Sequence, residues 1–240
     1  MSSTGDKMTD NFKTLLRTAA VALVFGFAGA AIWSYSGLGD ARTKSYLLAN
    51  PDILPQMAEA YQSQQAKDRL AGISEQVMTP FPGAVLGNPN GSKVLVEFTD
   101  YNCPYCAMSQ ADVHRLIESD PEVKIVVREW SIFQGSEVAS QMALAAAKQG
   151  KYAAFHDAMF RLGPVSPESV EAAAREAGLD LERARADAAS DEVAQELARN
   201  QALAGQLGFS GTPSWVTKDR AFEGAVGYGA LKEALEPGES

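Results

Sequence analysis

Cysteine and histidine are almost missing from this chain: its 240 residues contain two of each. A structural zinc site needs four ligands, or three and a water. Cys103, Cys106, His114 and His156 offer one CxxC pair and two widely separated histidines, with no second pair to complete a site. The cysteines also stand too close together to act as a staple, because the loop they would close is tiny and constrains little of the unfolded chain. Basic residues are scarce as well. There are 21 Lys and Arg against 30 Asp and Glu, a net charge of −9, which disfavours general nucleic-acid binding, since that needs a basic face. Repeats and low-complexity runs are absent. The hydrophobic fraction of 46% is enough for a proper core, which excludes wholesale disorder.

Long apolar runs are equally rare, with one exception. Residues 18–33 read TAAVALVFGFAGAAIW, uncharged, after Lys7, Lys13 and Arg17. Two readings stand side by side. In the first, residues 18–35 anchor the chain in a bacterial inner membrane, with Trp33 and Tyr35 at the interface. In the second, the run is a signal peptide cleaved at Ala28-Gly29-Ala30, leaving a soluble protein. Either one sends the remainder to the periplasm, where dithiol–disulfide chemistry is permitted.

Three regions follow from the pattern: residues 1–39, the tail and anchor or signal; 40–91, a helical arm and linker; and 92–240, the main domain. In the arm, Asn50 is placed to cap a helix starting at Pro51. Leu54, Met57 and Tyr61, then Leu70, Ile73 and Val77, recur at helical spacing. So narrow a stripe fits packing on its own domain or self-association through residues 40–78. The stretch TPFPGAVLGNPNGS, Thr79 to Ser92, reads as a linker ending in a turn.

The main domain opens with KVLVEFT, Lys93 to Thr99, suited to a buried strand. A helix is expected through about Ser119, and VKIVVREW, Val123 to Trp130, is a second strand. Residues 136–205 are helical in character, with Ser136, Ser166, Asp180 and Ser190 as caps and Gly150 and Gly178 as stops. A hairpin, Pro213 to Lys218 with Arg220 to Gly227, precedes a closing helix over Tyr228 to Leu235. A strand–helix–strand start implies a parallel pair with a right-handed crossover, and the hairpin adds antiparallel strands. The expected fold class is α/β, a mixed sheet with a large helical insertion.

The CxxC falls where the first strand meets the first helix. A thiol at a helix N-terminus faces unpaired N–H groups and the positive end of the helix dipole. Such positions lower a thiol from about 8.5 to roughly 3.5–7.5. Pro104 suits the first turn, where its missing N–H costs nothing. Cys106, one turn on, shares a face with Cys103. Cys103 therefore attacks or is attacked, and Cys106 resolves the mixed disulfide. No cofactor is needed beyond the dithiol. A copper(I) site on the two soft sulfurs is the chemical alternative, which would make the chain a carrier and not an enzyme. Neither His114 nor His156 has a nucleophile nearby in sequence. Glu97, inside the apolar strand six residues before Cys103, lies either on a wet face or buried; if buried it could exchange a proton with the resolving thiol.

VEFTDYNCPYC followed much later by GFSGTPSW resembles the DsbA-like branch of the thioredoxin superfamily, over roughly Ser92 to Pro237. The arm YLLANPDILPQMAEAYQ is similar to the N-terminal segment of the suppressor-of-copper-sensitivity oxidoreductases. The resemblance implies a thioredoxin-like fold and a protein thiol–disulfide oxidoreductase that forms, breaks or reshuffles disulfides in exported proteins, reset by a membrane redox partner. It implies Cys103 as nucleophile, Cys106 as resolving cysteine and Glu97 as the buried acid. It also implies Pro213 as a cis-proline that presents the Thr212 backbone to an extended client, with Pro104 and Tyr105 also on the client side. The best-known oxidases of this family carry histidine where this chain has Tyr105, so strong oxidising power is not implied.

Overall fold

The computed structural model describes residues 15–29 and 38–236. They fall into two compact units, residues 1–60 and residues 61–240. The first holds helix α1 (residues 15–29), α2 (Leu38–Ala49) and the start of α3 (Ile53–Leu70). Among the described residues no helix is long and apolar enough to cross a membrane. Part of the expected anchor over 18–35, including Trp33 and Tyr35, and Ala30 of the cleavage reading lie outside the described residues. Asn50 does not cap the next helix. Its Nδ2 donates back to the Tyr46 carbonyl at 2.8 Å, and α3 begins at Ile53.

The second unit is built on a five-stranded sheet of order β1-β3-β2-β4-β5. The strands are β1 (Val85–Gly87), β2 (Lys93–Thr99), β3 (Val123–Glu129), β4 (Ser214–Val216) and β5 (Ala221–Glu223). Strands β2 and β3 run parallel, and every other pairing is antiparallel. Helix α5 (Pro104–Ser119) makes the crossover. Five helices fill the insertion: α6 (Glu137–Lys148), α7 (Tyr152–Leu162), α8 (Pro167–Glu176), α9 (Leu181–Ala188) and α10 (Asp191–Leu207). Helix α11 (Tyr228–Leu235) closes the chain.

The caps follow local chemistry. Ser166 and Ser169 form a reciprocal capping box ahead of Pro167, and Asp180 and Ser190 accept from Arg183 N and Val193 N. Gly150 and Gly178 take positive φ of 68° and 71° just past their helices, a region open to glycine at no steric cost. Ser136 occupies the N-cap of α6 without capping it. Its hydroxyl turns inward and donates to Asp100 Oδ2 at 2.8 Å.

Alternation along β2 divides the core. Leu95 joins a large cluster with α5 to α9, β3 and Trp215. Val96 and Phe98 face a smaller cluster with Leu70, Val77, Trp130, Leu203 and Leu207. Burying a side chain such as Phe98 contributes about 1.5–3 kcal/mol. The end of the arm is part of this smaller core. Helix α4 (Ser74–Met78) lays Val77 into it, while Leu54, Met57 and Tyr61 stay exposed. The stretch read as a linker is also structured: Phe81, Ala84 and Leu86 are buried, and β1 pairs with the edge of β3. Pro and Gly on both sides of three strand residues hid this short strand.

A basic side chain is enclosed in the second unit. Arg128 on β3 is 1% exposed. Its guanidinium donates to Glu196 Oε1 at 2.7 Å and Asn200 Oδ1 at 3.1 Å on α10. It also donates to the carbonyls of Gln76, Val77 and Thr79 at the end of α4. A buried cation is tolerated when it is paired and its donors are filled.

Candidate active site

The loop between β2 and α5 is held by one buried carboxylate. Asp100 Oδ1 accepts from Asn102 N at 2.8 Å. Its Oδ2 accepts from Ile132 N at 2.7 Å and Phe133 N at 2.9 Å, besides Ser136. Cys103 N donates to Asp100 O at 3.0 Å. This turn delivers Cys103 to the N-cap of α5 in an extended conformation, with Pro104 next and no side chain capping the first turn. The free N–H groups of that turn are thus left at the sulfur's end of the helix.

Both thiols are free and buried, Cys103 2% and Cys106 0% exposed. Burial raises Cys106 far above the ordinary thiol range, and the Glu97 carboxylate pushes the same way. The Thr99 and Thr212 hydroxyls and Asp100 N–H oppose them. Cys103 Sγ donates to the Thr212 carbonyl at 3.1 Å, and the Thr212–Pro213 bond is cis. Pro104 and Tyr105 are exposed beside it. A shallow cavity of about 190 Å³ borders Cys103, lined among others by Tyr101, Asn102, Pro104, Phe160 and Pro164.

Glu97 is fully buried, so the wet-face reading falls. In β2 it lies opposite Val127 of β3 and Trp215 of β4. Neither carboxylate oxygen has a hydrogen-bond partner among the described residues. Burial lifts it from 4.5 to about 8. A carboxyl enclosed this completely prefers its neutral form, and the Thr99 side chain offsets only part of that preference.

The sequence reading passed over a second buried acid. Glu129 closes β3 beside Thr99. The hydroxyls of Tyr101 and Tyr152 lie 2.9 and 2.6 Å from its Oε1, while Oε2 meets no hydrogen-bond criterion among the described residues, with the Ser140 side chain favouring the charged form. Burial lifts Glu129 to about 7. Tyr101 also meets His156 Nδ1 at 3.0 Å, and His156 Nε2 meets Gln110 Oε1 at 3.0 Å. Burial pushes His156 down to about 3, so it is a neutral link in a polar chain. The available signal was Glu129's place in an apolar strand, the same feature that marked Glu97. His114 stays outside, at 3.1 Å from Asp157. Among the described residues no group of three or more His, Cys, Asp or Glu is placed to hold a metal ion.

A helix-initiating CxxC, opposite a cis-proline and in front of a buried acid, on a mixed sheet with a helical insertion, defines a DsbA-like oxidoreductase. Residues 94–236 match the family model of the DSBA-like thioredoxin domain; the chain belongs to that family. Residues 42–67 match the copper resistance protein ScsC N-terminal domain.

Solved structures agree. A thioredoxin-like oxidoreductase from Silicibacter pomeroyi is 45% identical, with a TM-score of 0.59 over 63% of this chain and 88% of that one. The catalytic domain of Proteus mirabilis ScsC is 26% identical, with a TM-score of 0.63 over 70% and 96%. The thiol-disulfide exchange protein alpha-DsbA2 from Wolbachia pipientis is 25% identical, with a TM-score of 0.67 over 73% and 96%. The Na(+)/H(+) antiporter NhaA 1 of Salinispora arenicola is 27% identical over 176 residues, which are 69% of this chain. The chain spans only 27% of that relative's length.

Proposed function

We propose that the chain exchanges disulfides with exported proteins in the bacterial periplasm through Cys103 and Cys106. The observation that carries this reading is the position of Cys103 Sγ, at the open N-terminus of α5 and 3.1 Å from the Thr212 carbonyl. In the reducing direction the Cys103 thiolate attacks a client disulfide and expels one client thiolate, forming a mixed disulfide. Once Glu97 has released its own proton to solvent, its carboxylate takes the proton of Cys106, and the Cys106 sulfur attacks Cys103. The second client thiolate leaves, and the Cys103–Cys106 disulfide remains. The oxidising direction is the reverse. Thr212 and Pro213 offer a backbone edge to the client chain, with Pro104 and Tyr105 at its border. A membrane redox partner resets the pair.

The arm, residues 40–78, joins copies of the chain through Leu54, Met57 and Tyr61, whose exposure supports the idea. Residues 18–35 serve as an anchor or cleaved signal, as their composition suggests.

Insulin reduction and refolding of a scrambled substrate test the central claim. Cys103→Ala abolishes both, and Cys106→Ala accumulates a mixed disulfide visible on a non-reducing gel. Retained activity in Cys103→Ala overturns the assignment. The second reading, a copper(I) carrier, draws on the copper-resistance family matched by residues 42–67 and on two adjacent soft sulfurs. A wild-type chain inert in both assays that holds copper(I) tightly would establish it.

A further inference from the structure

The polar chain under the active site has more acceptors than its protons can serve unless Glu129 supplies one. Gln110 Nε2 donates to the Cys106 carbonyl at 3.4 Å, which turns its Oε1 toward His156 Nε2 at 3.0 Å. An amide oxygen only accepts, so His156 must carry its ring proton on Nε2. A neutral imidazole has one such proton, so Nδ1 is bare and accepts from the Tyr101 hydroxyl at 3.0 Å. Tyr101 has one hydroxyl proton, now used. The 2.9 Å contact between Tyr101 and Glu129 Oε1 then needs a proton from Glu129.

The alternative arrangement starts from a Glu129 carboxylate. Tyr101 donates to it, and His156 donates to Tyr101 from Nδ1. That leaves His156 Nε2 bare against Gln110 Oε1, two acceptors 3.0 Å apart. The conflict is relieved only if the Gln110 amide turns over, which gives up the Cys106 carbonyl. Ionisation of Glu129 and the hydrogen bond on the backbone of the resolving cysteine are therefore two ends of one proton arrangement.

We infer that Glu129 is a positioning residue for disulfide exchange, a neutral buried acid whose proton sets the Tyr101–His156–Gln110 chain and through it the hydrogen bond on Cys106. The inference deepens the thiol–disulfide reading above and rests on it. Three further observations agree. Glu129 is 0% exposed, its Oε2 meets no hydrogen-bond criterion among the described residues, and burial, with Asp100 from the β2–α5 loop and Glu97 from β2, outweighs the Tyr152, Tyr101 and Ser140 side chains that favour its charge. Tyr152 from α7 adds a hydroxyl at 2.6 Å that serves either form. When Cys106 passes its proton to Glu97 during exchange, a neutral Glu129 leaves that pocket with one charge to accommodate and not two.

Infrared spectroscopy of the full chain reads this directly. At pH 6, below the value of about 7 that burial gives Glu129, the dithiol form shows a protonated-carboxyl C=O band assigned to Glu129, shifted in D2O and absent in Glu129→Gln, whose amide donates in the same place. The oxidised-minus-reduced difference spectrum, taken with diamide and dithiothreitol, contains this band as well. Gln110→Ala removes it from the difference spectrum while leaving it in the absolute one, because the chain is cut between Glu129 and Cys106. A merely structural Glu129 would give no band in the difference spectrum of the wild type, and that result overturns the proposal. So does an absolute spectrum unchanged by Glu129→Gln. Insulin reduction measured on the same wild-type sample separates the claims: an active enzyme lacking the band defeats this inference alone, and an inactive one defeats the exchange reading.

Discussion

The Cys103 thiol donates to the Thr212 carbonyl at 3.1 Å, so the group that would bind a client's backbone is already occupied by the reacting sulfur. The contact exists only while the sulfur keeps its proton. A client N–H that pairs with Thr212 O takes that place and releases the sulfur. A peptide disulfide N-methylated at this amide should react roughly two- to tenfold more slowly than its parent, the worth of one hydrogen bond of about 0.5–1.5 kcal/mol. Reduction of a small dialkyl disulfide, which has no such N–H, should serve as the unchanged control. Equal rates for the two peptides would separate substrate binding from Thr212.

Glu97 makes stability depend on pH. Its folded value, about 8, stands above the ordinary 4.5, so the folded state holds the proton more tightly. The contribution is fully present below pH 4.5 and is lost as pH rises to about 8. Wild-type stability should fall across this window by a few kcal/mol, at about 1.4 kcal/mol per unit of separation. In Glu97→Gln the decline should shrink to the part due to Glu129. Urea denaturation at pH 5 and pH 8.5 measures both, and parallel slopes for the two proteins would contradict the assignment.

Tyr105 stands 59% exposed at the mouth of the site and offers no positive charge to a neighbouring thiolate. Tyr105→His should stabilise the reduced form and raise the reduction potential, by about 30 mV for each 1.4 kcal/mol gained. Equilibration with glutathione buffers gives the value. A lower potential would show that the tyrosine already stabilises the dithiol.

Arg128 ties α4 to β3 and α10. Arg128→Ala leaves Glu196, 5% exposed, without its main buried partner, and should cost about 3–5 kcal/mol. Proteolysis should accelerate first around residues 74–79, whose carbonyls lose their donors. Denaturant unfolding with limited proteolysis checks both, and a loss below 1 kcal/mol would mean that water replaces the guanidinium easily.

The arm presents Leu54 (72%), Met57 (54%) and Tyr61 (66%) to solvent. Light scattering should give an oligomer for the full chain and a monomer for Leu54→Glu/Met57→Glu/Tyr61→Glu. Identical monomeric masses would remove the assembly role.

Element order was legible because it depends on local signals. Valine-rich runs marked β2 and β3. Ser166-Pro167, Asp180 and Ser190 marked helix starts, and Tyr228 to Leu235 was read to the residue. Strand β1 escaped because three residues between Gly83 and Asn88 carry no period. Ser136 and Asn50 were assigned as caps from type and position, and both found other partners. Glu129 and Arg128 stood in plain view at the end of VKIVVREW, yet their burial rests on helices that lie far along the chain. Tyr152 and His156 reach Tyr101 and Glu129 from α7, and Glu196 reaches Arg128 from α10.

By itself the sequence determined that two thiols sit at the start of a helix after a buried strand, because proline, periodicity and cysteine spacing act within a few residues. Only the tertiary structure decided which groups surround those thiols: the Thr212 carbonyl, the partnerless Glu97, and the Glu129 chain ending on Cys106. Those neighbours come from segments dozens of residues apart. Whether a carboxyl is charged or neutral depends on how completely the packed helices exclude water from it.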